Sequence, residues 1–313
     1  MRRGSSGERY DTKTPFATVG EYWRENADHR ASTALIVKIR LQKHVYPRIG
    51  DTPIGNIERS DIERLVEAMT ADGLAPSTID VCLRHVRTVF NSAVERQLIA
   101  KSPAKGVKVA LPEVKVKPLE LRHVAKLAEH VPDRLRCLVL TMAQTGLRPA
   151  EAFALTSENV TGGSVRVERQ LSTTAEGVSF APLKTESSAR WVPIPDELEQ
   201  TIAKHVERFG LGEHDLIFSD AKGRGLQRNR AGDCWRRTVS AIEADPDNQG
   251  YRWPESARGW HSQRHYYASF LIEGGHSIPA VCARMGHKTP PETLQTYAHL
   301  FEASDKLLSL IHI

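Results

Sequence analysis

Apolar residues along this chain recur with a helical period in its first third, lose it over a short stretch, and then alternate between helical and strand-like spacing. "TVGEYWRENA" and "STALIVKIRLQKHVYPRI" read as helices, the second with Leu35, Ile39, Leu41 and Val45 as its apolar face. "SDIERLVEAM" opens on Ser60 with Glu63 three residues later, the pattern of a capping box. "PSTIDVCLRHVRTVFNSAVERQ" carries a stripe of Ile79, Leu83, Val86, Phe90 and Ala93, with Arg84, Arg87 and Arg96 on the other side. Four helices in so short a span predict a small all-helical domain over 15–105, after a polar tail, 1–14, expected to be disordered.

"KSPAKGVKVALPEVKVKPLE" breaks the period with three prolines and alternating Val and Lys, and predicts an extended linker over 106–118. A larger domain, 119–313, follows. "LRHVAKLAEHV" and the strongly apolar "RLRCLVLTMAQTG" read as helices. "SVRVERQL", "GVSFAPLK" and "ARWVPIP" read as strands, the last two joined hairpin-fashion by "TESS". Helical spacing returns at "DELEQTIAKHVERFG" and persists to the end. The expected fold is mainly α: a helical N-terminal domain, then an α+β domain with a small antiparallel sheet.

Composition narrows the functional class. The chain has 313 residues, and no run of about 18 apolar positions that would suggest a membrane span. "MRRGSSGERYDTKTPF" lacks the apolar core of a secretory signal. Cys82, Cys137, Cys234 and Cys282 are far apart, with no CxxC pair, which fits reduced thiols in a cytoplasmic protein. The net charge of +5 is unevenly spread: residues 1–105 hold 17 Lys and Arg against 13 Asp and Glu, and 106–117 hold three Lys against one Glu. The first third and the segment after it therefore suit contact with nucleic acid, although a solvated surface would look the same.

Five short stretches carry chemistry. "TGLRPAEAFAL" offers Arg148 and Glu151, "APLKTESSARWVPI" offers Lys184, "HSQRH" offers His261 and Arg264, "ARMGHKTP" offers His287, and "TLQTYAHL" offers Tyr297. His261 and His265 have the spacing of a zinc pair, but Ser262 stands where a metalloprotease helix carries its Glu, and Arg264 would repel a dication. No metal is expected.

In this order the stretches resemble the tyrosine recombinases, the phage-integrase family. Its signature is an Arg after "TGLR" with an acid three residues on, a hairpin Lys, H-x-x-R, "GH" and a downstream Tyr. Two positions depart from it: Gln263 stands where the family usually has Leu, and Met285 replaces the common Leu before "GH". The resemblance implies an enzyme that cuts and reseals double-stranded DNA through a 3′-phosphotyrosyl link. A tyrosine ester stores the bond energy, so neither ATP nor any other cofactor is needed, and the chain has no GxxxxGK[ST] loop. Arg148 and Arg264 would fork onto the non-bridging oxygens. Lys184 would protonate the leaving 5′ oxygen, with Lys222 and Lys288 as other lysines within the same domain. By resemblance His261 assists proton transfer with the nucleophile, His287 donates to the phosphate, and Glu151 orients an Arg or His.

The helical domain resembles the family's core-binding domain. Arg84, Arg87, Lys115 and Lys117, and Arg228 and Arg230 with Arg236 and Arg237, are candidates for contact with the DNA backbone. His265, Tyr266, Tyr267 and His299 read as packing residues. The tail "AHLFEASDKLLSLIHI", with Leu300, Phe301, Leu307, Leu308 and Ile311, reads either as a last core helix or as a segment that docks on a neighbouring protomer. The resemblance implies a homotetramer that exchanges strands through a Holliday junction, integrating or excising a phage or mobile element, with an accessory directionality factor as a further partner. Larger integrases carry an N-terminal arm-binding domain, and the 14 residues before the helical domain are too few for one. A Xer-like dimer resolvase, a type IB topoisomerase and a non-catalytic DNA-binding protein of the same fold remain open from the sequence.

Overall fold

The computed structural model describes residues 10–29, 31–112, 117–174, 177–248, 251–291, 293, 294, 296 and 297. The coordinates fall into two compact units, Met1–Glu113 and Val114–Ile313. Lys115, His299 and the apolar tail from 300 lie outside the described residues.

The first unit is helical: α1 (Phe16–Asn26), α2 (Ala31–Arg40), α3 (Tyr46–Ile49), α4 (Arg59–Ala71) and α5 (Pro76–Glu95). The α5 stripe is buried as expected, from Ile79 to Ala93. The second expected helix holds a surprise, because a π-helical turn, Leu41–Val45, joins α2 to α3. Its buried residues are Val37, Leu41, Val45 and Ile49, one every four positions, whereas Leu35 and Ile39 are exposed. A spacing of four outruns the 3.6-residue α turn, and the wider π turn keeps the stripe in line. Leu35 and Ile39 lie two positions from Val37 and Leu41, about 200° round the helix, and are turned outward.

α4 also starts earlier than its Ser60–Glu63 pattern suggests. Glu58 is the cap, and Asp61 accepts its backbone N–H at 2.8 Å. Two other expectations shift in this unit. Thr12 and Thr14 of the expected disordered tail accept backbone hydrogen bonds from Gly55 and Ile54. Val107, at the start of the expected linker, is buried in the unit's core beside Ala104 of the expected domain.

The second unit comprises α6 (Leu121–His130), α7 (Asp133–Thr145), α8 (Pro149–Ala152), β1 (Val160–Thr161), β2 (Ser164–Val167), β3 (Arg169–Thr174), β4 (Gly177–Pro182), β5 (Arg190–Pro193), α9 (Asp196–Phe209), α10 (Arg228–Ala244), α11 (His261–Glu273) and α12 (Ile278–Met285). The strands make two small antiparallel sheets, β1-β2-β5 and β3-β4. This corrects the expected hairpin: β4 pairs with β3, Leu171 opposite Phe180, while β5 pairs with β2, Val192 opposite Val165. "SVRVERQL" is split between the two sheets at Glu168, so Lys184 sits in a crossover from one sheet to the other. Alternation alone finds strands without saying which ones pair.

The core of this unit runs from α6 and α7 to a group of aromatic rings around Trp235, Trp253 and Trp260. The Trp260 indole N–H donates to Ala231 O at 2.7 Å, which pins the start of α11 to α10. Among the described residues no helix is long and apolar enough to cross a membrane.

Candidate active site

Arg148 is set in place by its neighbours. α7 ends at Gly146, with φ at +62°, and a Cβ there would come within 2.3 Å of the Tyr267 ring. Only glycine meets both demands. Pro149 then opens α8, with Arg148 as its cap. Glu151 turns back on that cap: Oε2 accepts the Arg148 backbone N–H at 3.0 Å, and Oε1 accepts from its guanidinium at 2.8 Å. Arg190 Nη2 donates to Oε2 at 3.0 Å. Burial pushes the Glu151 carboxyl up, but Arg190 and Arg148 more than offset this and hold it below the usual range.

Arg264 enters from α11 and is 2% exposed. It donates to Gly146 O at 2.7 Å and to Met285 O at 2.5 Å, the carbonyls that end α7 and α12. Two helix C-termini thus present their negative ends to a buried cation. Burial, and then Arg148, lower its pKa to about 9, which leaves it charged at neutral pH. Arg148 and Arg190 share one carboxylate and Arg264 lies close enough to feel all three groups, so the cluster carries a net positive charge.

Tyr297 is 2% exposed and packs against Tyr267, Leu271, Val281 and Met285. Burial pushes its phenol up to about 12, against a lowering by Arg264. Its hydroxyl lies 2.7 Å from His265 Nδ1. The His261 and His265 rings meet edge to face, 5.0 Å between centres. His261 opens to solvent at the start of α11. Desolvation, then His265, Arg264, Arg148 and Arg228, pull its pKa down to about 4, although the open edge of the ring tempers the desolvation.

The other candidates lie around this cluster. His287 follows Gly286, the left-handed end of α12, and its Nδ1 is 2.7 Å from Thr293 Oγ1. Lys184 is exposed. The next residue, Thr185, is linked through Ser188 Oγ to Arg148 Nη1, at 2.9 and 3.3 Å. Arg228 and Arg230 are exposed at the start of α10. Arg228 acts on His261, and Arg230 lines a cavity with Gln227, Cys234 and Trp260. In the other unit Arg84 is exposed and pairs with Asp80 at 3.1 Å, and Arg87 donates to Val107 O. Lys117 is exposed, its backbone held by Ser256.

Sequence reasoning missed Arg190, Ser188 and His265. Arg190 had a readable signal: in β5 it falls in phase with buried Val192, while Trp191 points outward, 54% exposed. His265 sits one turn from His261, so the tempting zinc spacing was a real adjacency with other chemistry attached. Gln263, the departure noted in "HSQR", is fully buried, and neither of its side-chain amide atoms has a hydrogen-bond partner among the described residues.

Residues 117–304 match the phage integrase family, and residues 16–110 match the phage integrase central domain. The chain belongs to the phage integrase family. It is a tyrosine-type site-specific DNA recombinase of the integrase kind. The integrase of Mycobacterium phage D29 is 24% identical over 286 residues, covering 87% of this chain and 72% of that protein. A XerC-like tyrosine recombinase of Caldanaerobacter subterraneus is 24% identical, covering 79% of the chain and 68% of its own length. The recombinase also shares its fold with solved structures. The Tn1549 transposon integrase in complex with a circular intermediate DNA aligns with a TM-score of 0.84 at 19% identity, over 95% of this chain and 99% of that one. A lambda integrase tetramer bound to a Holliday junction aligns at 0.66 and 16%, over 91% and 78%.

Proposed function

We propose that this recombinase cleaves each DNA strand with Tyr297, through a 3′-phosphotyrosyl link, at a site built from Arg148, Lys184, His261, Arg264 and His287. The single observation that carries the reading is the meeting of Arg148 and Arg190 on buried Glu151, with buried Arg264 and Tyr297 beside them. Phosphoryl transfer to a phenol builds charge on the non-bridging oxygens, and fixed guanidiniums in a water-poor site stabilise it without reorganising. Arg264 has two N–H groups tied to backbone carbonyls, which orients the rest of its fork. Glu151 and Arg190 position Arg148 and take no part in bond making. Lys184 supplies the proton to the 5′ oxygen, and His287, oriented by Thr293, donates to the phosphate.

The substrate is double-stranded DNA carrying paired attachment sites, and the reaction integrates or excises a phage or mobile element in the cytoplasm. The helical unit serves as the core-binding domain, with Arg84, Arg87, Lys115 and Lys117 along the backbone and Arg228 and Arg230 beside the scissile phosphate. The lambda tetramer on a Holliday junction supports four protomers as the working assembly. An accessory directionality factor would choose between integration and excision.

A nicked suicide duplex carrying the attachment site tests this reading. Wild-type protein is expected to form a covalent adduct that resists denaturing electrophoresis, and Tyr297→Phe to form none while still binding the duplex. An adduct that survives Tyr297→Phe overturns the assignment. Relaxation of any supercoiled plasmid by isolated monomers would favour a topoisomerase instead.

A further inference from the structure

The contact between His265 and Tyr297 has no place in the roles just given. It is a side-chain bond to the reacting oxygen itself, 2.7 Å from Nδ1 to the hydroxyl, between residues 32 positions apart. The two rings also meet edge to face, 5.7 Å between centres. His261, to which the resemblance gives the proton-transfer role, makes no hydrogen bond to Tyr297 among the described residues. It touches the back of this arrangement, through the His265 ring.

We propose that His265 is the proton acceptor for the Tyr297 hydroxyl, a catalytic residue alongside His261. The inference rests on the reading of Tyr297 as the nucleophile.

Protonation states agree with the geometry. Burial and Arg264 pull His265 down to about 4, and burial pushes Tyr297 up to about 12. At neutral pH the ring is uncharged and the phenol keeps its hydrogen. The hydroxyl then donates to Nδ1, and the ring carries its own hydrogen on Nε2. In the resting site the phenol holds its proton far more tightly than the ring would. That changes when a phosphodiester enters among Arg148, Arg190 and Arg264. Its negative charge offsets the cation that disfavours protonated His265, and the charge grows towards the transition state.

The step balances as follows. The Tyr297 Oη–P bond forms while P–O5′ breaks, the phenol proton passes to His265 Nδ1, and O5′ takes a proton from the Lys184 ammonium. Resealing runs it backwards: the 5′ hydroxyl attacks phosphorus and returns its proton to Lys184, and Oη recovers the proton held on His265.

Asparagine tests the role, because its amide reaches about where Nδ1 lies and bonds the hydroxyl but cannot take its proton. His265→Asn, His265→Gln and His265→Ala are compared with wild type in single-turnover cleavage of a suicide duplex, at protein concentrations that saturate binding. Each variant is first matched for duplex affinity, so that a misfolded one is set aside and the others decide. All are expected to bind within about twofold of wild type and to cleave between a hundredfold and ten-thousandfold more slowly, the usual contribution of a general base. A 5′-bridging phosphorothiolate, whose sulfur leaves without a proton, should rescue Lys184→Ala and leave the His265 variants slow.

An Asn or Gln variant that cleaves within a few-fold of wild type would overturn the proposal and reduce His265 to a positioning residue. Rescue of the His265 variants by the sulfur leaving group would also overturn it, since it would put His265 on the leaving side. Tyr297→Phe runs in parallel: an adduct lost there keeps the nucleophile assignment standing whichever way His265 falls, and an adduct retained there removes both.

Discussion

Glu151 and Gln263 are both buried polar side chains within one site, and they stand at opposite ends of the satisfaction scale. Glu151 accepts from two guanidiniums and a backbone N–H, so its charge is fully answered. Gln263 has neither amide atom answered among the described residues. An unsatisfied buried polar group costs about 1–3 kcal/mol. Gln263→Leu is therefore expected to raise unfolding stability in urea by about that amount, with cleavage little changed, because the Gln263 amide bonds none of the reacting groups among the described residues. A loss of stability would mean that the amide is bonded after all. "TGLRPAE", "HSQR" and "TLQTYAHL" name Arg148, Glu151, Arg264 and Tyr297 as candidates, and the structure brings these side chains near one another. These stretches could not announce Arg190 or His265, whose parts arise from where a strand and a helix bring them. Arg190 lies outside the signature, and the spacing of His261 and His265 pointed to a metal instead.

At the scale of elements, period was legible and phase less so. The helices of the N-terminal unit are where their apolar spacing puts them, yet the helix through 31–49 buries only Leu41 and Val45 of its expected face, and Leu35 and Ile39 are exposed. Leu35 and Ile39 lie two positions from Val37 and Leu41, on the far side of the helix. The π-helical turn at Leu41–Val45 keeps Leu41, Val45 and Ile49 on one line and cannot be read from hydrophobicity, because it belongs to the backbone hydrogen bonds. Substitution separates the two faces. Leu41→Ala is expected to cost about 2–5 kcal/mol in chemical denaturation, as for a fully buried leucine. Ile39→Ser, on the exposed side, is expected to stay within about 0.5 kcal/mol of wild type. Equal losses from both would contradict the burial of Leu41 and the exposure of Ile39. The strands repeat the lesson. Each was visible as an apolar alternation, but partner choice rests on packing distant in sequence, so β5 leaves the apparent hairpin and joins β2.

For the whole molecule, the uneven charge and the change of pattern near residue 106 anticipated a division into a basic helical part and a mixed part. The units divide at residue 113, and Val107 of the expected linker belongs to the first core. What no composition could supply is the convergence of α7, α8, α11, α12 and β5 on one carboxylate and three guanidiniums, with a buried phenol beside them. That convergence is the reason to read Tyr297 as the nucleophile, and the place of the phosphate after cleavage tests it most directly. A suicide duplex is trapped on the protein, the complex is digested with protease and nuclease, and the modified peptide is sequenced by mass spectrometry. The expected product is the peptide containing Tyr297, bearing a nucleotide joined through its 3′ phosphate. A nucleotide on any other residue, or one joined through its 5′ phosphate, would contradict it.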